Sequence, residues 1–143
     1  MPMPSPLRAV IEDFAAAPIE LKIDLLVEYA GKVPPLPAHL AGQPDALEQV
    51  EECQTPFFLT TELDGQDRVR VWFDCPPEAP TTRGFAGVLS EGLNGATVEE
   101  VLAVPADFHH EMGLGAAISP LRLRGMDAIL ARLKGNVATH RPS

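Results

Sequence analysis

The sequence predicts an α+β fold in which helices precede and follow a small antiparallel sheet. Two observations favour this fold. Apolar residues recur with the period of a helix in both outer parts of the chain, whereas a central segment alternates with the period of a strand. The chain has 143 residues, of which 45% are hydrophobic, enough for one domain with its own core. We therefore expect residues 1–143 to form a single domain of N-terminal helices, a three-stranded antiparallel sheet and C-terminal helices.

Two helices are predicted near the N-terminus. Ser5 and Pro6 suit the N-cap and first turn of the first helix. Its apolar face comprises Leu7, Val10, Ile11 and Phe14. Pro18 is predicted to start the second helix, and Gly31 to cap its end. Its expected buried stripe is Ile19, Ile23, Leu26, Val27 and Ala30. The proline-rich segment 32–44 is predicted to be an ordered loop, because neither flank is large enough to fold alone.

A β-hairpin is predicted in the middle of the chain. Residues 57–63 and 68–74 flank the turn sequence "DGQD", and Pro56 suits the first position of a strand. In the second strand, apolar residues alternate with polar or amphipathic ones: Val69, Val71 and Phe73 against Arg68, Arg70 and Trp72. Such alternation is typical of a strand with one buried face. A third strand is expected over residues 46–51.

The segment after the hairpin is predicted to be helical. One apolar stripe comprises Phe85, Val88, Leu89 and Leu93. Asn94 and Gly95 close this helix, and Thr97 with Glu100 forms a capping box for the next. A short helix is expected over residues 106–112.

The last helix is expected to open at Ser119 and Pro120 and to end at Gly135. Its inward residues are predicted to be Leu123, Met126, Ile129, Leu130 and Leu133.

The charge balance narrows the possible partners. Lys and Arg number 11 and Asp and Glu number 20, a net charge of -9. Such acidity argues against nucleic acid and anionic membrane surfaces, both of which are bound largely through Lys and Arg. A basic protein partner stays open. We find no apolar run of about 20 residues and no secretion signal, so a cytoplasmic location is expected, where thiols stay reduced.

No metal site and no cofactor are expected. Cys53 and Cys75 are far apart in sequence and form no C-x-x-C pair, and His109 and His110 are adjacent, so on a helix they would point about 100° apart and converge poorly. Phosphate-loop, dinucleotide-binding and G-x-S-x-G motifs do not occur in the sequence.

Cys53 is the main candidate for chemistry. Glu52 precedes it, Gln54 follows it, and Pro56 then opens a strand. This position on a connection, where functional residues are common, leaves a reactive thiol and an inert buried cysteine equally open. Cys75, which precedes two prolines, fits a structural role better.

The residues around Cys53 resemble a known family. The segment "VEECQTPFFLTTEL" is similar to the cysteine loop of the SufE family, the sulfur-acceptor proteins of iron–sulfur cluster assembly. The resemblance extends over nearly the whole chain, through "IELKIDLLVEYAGKVPPLP", "TTRGFAGVLSEGLNGATVEEVL" and "FHHEMGLGAAISPLRLRGMDAILARLK". The order and spacing of these segments, together with the Cys-Gln core, make the resemblance specific.

This resemblance implies a fold shared with IscU-type scaffold proteins. It also implies that Cys53 takes sulfur from the persulfide of a PLP-dependent, SufS-like cysteine desulfurase and passes it to a SufB-like scaffold. Gln54 and Arg122 match supporting residues of the family. The protein would then be a persulfide carrier that stimulates the desulfurase rather than an enzyme that turns over alone.

Two other classes stay open. One is a thiol redox protein with a reversible Cys53–Cys75 disulfide, which requires Cα atoms within about 7 Å. The other is a non-catalytic module whose acidic face binds a basic partner. For the sulfur-transfer chemistry, Glu48, Glu51 and Glu52 are expected to oppose formation of a Cys53 thiolate if they lie close to it.

Overall fold

The predicted α+β fold is confirmed by a computed structural model, which describes residues 3–141. The helices are α1 (Ser5–Ala16), α2 (Ile19–Ala30), α3 (Pro80–Leu93), α4 (Val98–Leu102) and α5 (Pro120–Ala138). The strands are β1 (Glu48–Gln49), β2 (Phe58–Leu63) and β3 (Val69–Asp74). They form one antiparallel sheet in the order β1-β2-β3. Single 3-10 turns occupy Pro44–Ala46, Phe108–His110 and Leu114–Ala116.

The hairpin of β2 and β3 has the predicted turn. Phe58 lies opposite Asp74 at one end of the hairpin. At the other end, the Asp64 side chain accepts hydrogen bonds from the backbone N–H groups of Gln66 at 2.8 Å and Arg68 at 3.0 Å. These bonds close the turn locally. The third strand, β1, is only two residues long, shorter than expected.

The outer edge of β3 is paired with the turn that follows α3. The Val69 N–H donates to the carbonyl of Ala96 at 2.7 Å, and the Gly95 N–H donates to the carbonyl of Val69 at 2.9 Å. The Val71 N–H donates to Asn94 Oδ1 at 2.7 Å. The Asn94-Gly95 signal therefore ends α3 and also fastens that helix end to the sheet.

Two glycines of α3 let α2 pack against it at backbone distance. A Cβ at Gly84 would lie 2.1 Å from the carbonyl oxygen of Leu26, and one at Gly87 would lie 1.8 Å from that of Tyr29. Both distances are far below any real contact. The Leu26–Tyr29 face of α2 is therefore the face that meets α3.

The predicted stripe of α2 is partly wrong for this reason. Ile19 is 48% exposed and Val27 is 43% exposed, because the contact with α3 turns them outward. Lys22 is buried instead. Its ammonium group donates to the carbonyl of Phe14 and, at 3.0 Å, to that of Met112. Lys22 thus joins the end of α1 to the segment before α5.

Helix ends differ from the prediction in two places. The N-cap of α1 is Pro4 rather than Ser5, which lies inside the helix. Helix α5 does not end at Gly135 but continues to Ala138. Val137 is fully buried there, and Asn136 accepts a hydrogen bond from β2, so tertiary contacts carry the helix past the glycine.

The segment 106–112 is not the single short helix that was expected. It contains one 3-10 turn, and a second turn follows after Gly113, which has a φ of 75°. A left-handed residue cannot continue a helix, so the chain changes direction at this glycine. The predicted capping box of Thr97 and Glu100 is confirmed at the start of α4.

One hydrophobic core joins the inner face of the sheet to α1, α2, α3 and α5. Its largest buried side chains are Phe14, Phe57, Phe85, Phe108, Leu7, Ile11, Leu26, Leu59, Leu89, Leu93, Met112 and Leu114. Among residues 3–141, no helix is both long enough and apolar enough to cross a bilayer. The turn between β1 and β2, the start of α3 and the start of α5 meet at one end of the sheet.

Candidate functional site

Cys53 lies on the turn that joins β1 to β2. The ends of this turn are fixed in the core: Val50 and Phe57 are both buried, and the Val50 N–H donates to the Phe57 carbonyl at 2.8 Å. Within the turn, the Cys53 N–H donates to the Val50 carbonyl at 3.2 Å. Both neighbours of the cysteine, Glu52 and Gln54, are exposed. The cysteine is therefore carried by a short surface turn with rigid ends.

A cavity of about 180 Å³ opens beside Cys53. Its walls are residues 52–55 of the turn, residues 78–82 at the start of α3, and the first two turns of α5. The structure thus brings Cys53, Gln54 and Arg122 to one cavity, although Arg122 is 69 residues from Cys53 in sequence. Volume on this scale is ample for additional sulfur or water beside the thiol.

The Cys53 side chain is half-buried and faces α5. Its Sγ lies 3.9 Å from the carbonyl oxygen of Gly125. Burial, followed by the charges of Glu52 and Cys75, raises the pKa of the Cys53 thiol to about 11. The thiol is therefore protonated at neutral pH, and a thiolate forms only when the environment changes.

Arg122 lies across the mouth of the cavity. Its Nη1 donates to the hydroxyl of Thr81 on α3 at 3.4 Å. Its backbone N–H donates to the Ser119 side chain at 3.3 Å, the N-cap bond of α5. The side chain is exposed, so the guanidinium is available both to the cavity and to a docked partner.

Cys75 is buried at the end of β3 and is held by an arginine. Arg83 Nη1 donates to the Cys75 carbonyl at 2.7 Å and lies 3.7 Å from its sulfur. Burial raises the pKa of Cys75, and Arg83 opposes this shift. Both cysteines are free.

The glutamates around Cys53 do not all act as expected. Glu52 does raise the pKa of the thiol, but burial contributes more. Glu52 and Glu48 are themselves paired with Arg132 of α5, at 2.9 Å and 3.3 Å. The hydrogen bond from Arg132 lowers the pKa of Glu52.

Sequence reasoning missed three residues of this site: Thr81, Gly125 and Arg132. Arg132 and Glu52 are 80 residues apart. The opposite signs of their charges were the only indication of a pair in the sequence. Because the sequence contains many charged residues, opposite charge alone does not identify which of them pair. Gly125 bore a weak signal, because a glycine inside a predicted helix often has a packing reason.

The histidines considered as metal ligands lie elsewhere. His109 is buried, with Nε2 2.6 Å from Asp127 Oδ1. Between residues 3 and 141, no three His, Cys, Asp or Glu side chains are grouped so as to hold a metal ion.

Fold and site together define an α+β thiol protein whose cysteine lies on a turn beside a cavity. The chain belongs to the SufE family. The profile of this family, described as an Fe-S metabolism associated domain, matches residues 8–137. The resemblance inferred from the Cys-Gln loop is thereby confirmed.

Relatives of the chain cover nearly its whole length. An uncharacterized SufE-like protein of Mycobacterium tuberculosis is 52% identical over 132 residues, 92% of this chain and 91% of the relative. An uncharacterized SufE-like protein of a Synechocystis species is 24% identical over 86% of this chain and 74% of its own. The solution structure of a hypothetical protein from Thermus thermophilus superposes with a TM-score of 0.85 at 46% identity, covering 96% of this chain and 97% of the other.

Proposed function

We propose that this protein carries sulfur for iron–sulfur cluster assembly. Cys53 accepts a sulfur atom from the persulfide of a PLP-dependent, SufS-like cysteine desulfurase and delivers it to a SufB-like scaffold. The observation that carries the proposal is the position of Cys53: a half-buried thiol on a short surface turn, beside a cavity with an exposed arginine at its mouth. Membership of a family associated with Fe-S metabolism supports it.

The transfer is an exchange reaction between a thiolate and a persulfide. The Cys53 thiolate attacks the outer sulfur of the donor persulfide, and the donor cysteine leaves as a thiolate. A new S–S bond forms at Cys53 as the donor S–S bond breaks, so no external oxidant or reductant takes part. Cys53 must lose its proton before the attack and ends as a persulfide.

The cavity suits the product of this step. A persulfide is longer than a thiol by one sulfur atom, and the space beside Cys53 can receive that atom. Arg122 lines the same cavity, and its positive charge is the one we expect to attract a persulfide anion formed at Cys53. Gln54, exposed on the rim, can contact a docked partner through its side-chain amide.

The high pKa of Cys53 gives the partner an activating role. The free protein holds the thiol protonated, which limits oxidation by adventitious oxidants. Docking that draws the turn outward would relieve the burial that chiefly raises the pKa of Cys53, and basic groups of the partner would further offset the negative charge of Glu52. The acidic net charge of -9 suits such a partner. On this view the protein does not turn over alone but stimulates its desulfurase by removing the sulfur.

The test is intact mass after incubation with a SufS-like desulfurase, PLP and cysteine. We expect the chain to gain one or more sulfur atoms, removable by a thiol reductant, and expect the Cys53→Ser variant to gain none. The control is Cys75→Ser, which should load sulfur and stimulate the desulfurase nearly as the parent does. Loading that persists in Cys53→Ser and disappears in Cys75→Ser would reverse the assignment.

A second candidate function is the reversible disulfide. Phe58 lies opposite Asp74 at the end of the hairpin. Phe57, which ends the Cys53 turn, and Cys75 adjoin these two residues in the chain, so both lie at this end of the hairpin. Cys75 is also near enough to raise the pKa of Cys53. Counting free thiols by mass under mild oxidant decides it: loss of both thiols in one chain, restored by reductant, would favour the redox function.

A further inference from the structure

Arg132 of α5 forms a two-point ion pair with Glu52, the residue that precedes Cys53. Its Nε and Nη2 donate to the two carboxylate oxygens of Glu52 at 2.9 Å and 3.2 Å. This two-point geometry is the strongest form of an arginine–carboxylate pair. Since Glu52 is bonded directly to Cys53, the position of the carboxylate restricts the position of the thiol.

The arginine is itself held in place. Its Nη1 donates to Glu48 of β1 at 3.3 Å. The other oxygen of Glu48 accepts a hydrogen bond from Asn136 at 3.4 Å, and Asn136 Oδ1 accepts one from the Thr61 N–H at 3.0 Å. One face of α5 is thus hydrogen-bonded to β1, β2 and the Cys53 turn. Because Glu48 already holds the Arg132 side chain, less side-chain entropy is lost when Arg132 binds Glu52.

Helix α5 holds the turn at a second point. Gly125, seven residues before Arg132, lies on the same face of the helix about 10 Å away along its axis. There the Cys53 sulfur faces the Gly125 carbonyl at 3.9 Å. Neighbouring residues 52 and 53 therefore contact the same helix at two points. Because Val50 and Phe57 fix the ends of the turn, an outward movement of the turn backbone at Cys53 would strain the pair between Glu52 and Arg132.

We propose that Arg132 is a positioning residue for Cys53, and that the Arg132–Glu52 pair is the latch that keeps the cysteine turned inward in the free protein. A partner that presents a cationic side chain beside its own reactive cysteine would compete with Arg132 for Glu52 and free the turn. The latch belongs to the free protein, whereas its release by a desulfurase rests on the proposed function.

Amide hydrogen exchange tests the latch without any partner. The Cys53 N–H is bonded to the Val50 carbonyl within the turn, so its exchange at neutral pH reports opening of the turn. We expect Arg132→Ala to speed exchange of this amide about twofold to fivefold, in keeping with an exposed but two-point ion pair. Arg132→Lys should fall between, because lysine offers a single contact in place of the fork.

The chain supplies a matched control. Arg141 forms the same kind of two-point pair with Glu99, at 2.9 Å and 3.0 Å, away from Cys53. Arg141→Ala should leave exchange at Cys53 unchanged. The amides of Val69 and Val71 in β3 are internal references. If they accelerate as much as the Cys53 amide in Arg132→Ala, the arginine is merely structural and the latch is refuted.

A second readout links the latch to the thiol. Arg132→Ala removes the pair but keeps the negative charge of Glu52, which by itself would slow the reaction, so faster alkylation of Cys53 at a fixed pH is expected from opening of the turn. A rate equal to that of the parent would contradict the proposal. Sulfur loading by a desulfurase is measured separately: failure of the parent to load would refute the proposed function and leave the exchange result on the latch standing.

Discussion

The sulfur of Cys53 faces the backbone carbonyl of Gly125 at 3.9 Å, and the glycine has no side chain to separate them. A Cβ added at Gly125 would lie 3.7 Å from this sulfur, an ordinary contact distance. A residue with a Cβ would therefore fit at this position without a steric clash. What the glycine provides is room beside the thiol on the wall of the cavity.

Gly125→Ala should separate stability from chemistry. Alanine favours the helix by up to about 1 kcal/mol, so we expect a melting temperature equal to or above that of the parent. Alkylation and sulfur loading of Cys53 should both slow, because the methyl group takes space beside the sulfur. The control is Gly135→Ala in the same helix, which has open space around it and should raise stability without affecting Cys53. Unchanged loading in Gly125→Ala would show that this space is not used.

The reactivity of Cys53 should depend steeply on pH. With a pKa of about 11, the alkylation rate of the free protein should keep rising tenfold per pH unit well beyond about pH 8.5, where an ordinary cysteine levels off. Folding stability should move the other way. Cys53 retains its proton more strongly in the folded state than in the unfolded chain. The protonated thiol therefore contributes to the free energy of unfolding below about pH 8.5, and this contribution is lost as pH rises towards 11. An apparent pKa at or below about 7 would mean that the thiol is already activated.

Arg122→Ala should weaken stimulation of a desulfurase while leaving the fold intact. The guanidinium is exposed, and within residues 3–141 its hydrogen bond is the 3.4 Å one to Thr81, so the stability change should stay within about 0.5 kcal/mol. Arg122→Lys should restore part of the activity through its charge. Arg124→Ala, an exposed neighbour on the same helix, serves as the control and should behave as the parent does. A large loss of stability with normal stimulation would assign Arg122 to the fold.

Gly87→Ala should be severely destabilising. Its new Cβ would lie 1.8 Å from the carbonyl oxygen of Tyr29, so α2 and α3 must move apart. We expect a loss of about 1–3 kcal/mol or more in the free energy of unfolding, measured by urea titration. Gly135→Ala again serves as the reference, since it makes the same change without a clash. Equal midpoints for the two variants would mean that α2 is not seated on α3 as described.

Buried faces were predicted best in those elements whose hydrophobic pattern depends on their own residues alone. The stripe of α1 and the alternation of β3 each follow from residues within one element, and their burial agrees with the prediction. Helix α2 was predicted less well, because the face it buries depends on two glycines more than 50 residues away. Lys22 is the clearest example. Its burial requires carbonyls from two distant segments, and no local pattern indicates them.

The same limit applies to the site. Cys53 was singled out from its neighbours in the chain, and Arg122 through the resemblance to a family. The structure brings both to one cavity, while their roles stay predictions. Arg132 was missed, since its pairing with Glu52 exists only once α5 is folded against the turn.

The pairing along the outer edge of β3 also restricts how a partner can bind. Many proteins recognise extended segments by adding them as an extra strand to an open sheet edge. Here the bonds from Val69 to Ala96 and from Val71 to Asn94 already occupy that edge. Over that stretch an incoming strand finds few free backbone groups, which also protects the sheet from joining other sheets edge to edge. A partner that binds along this stretch of β3 must therefore recognise side chains and their charges rather than the backbone.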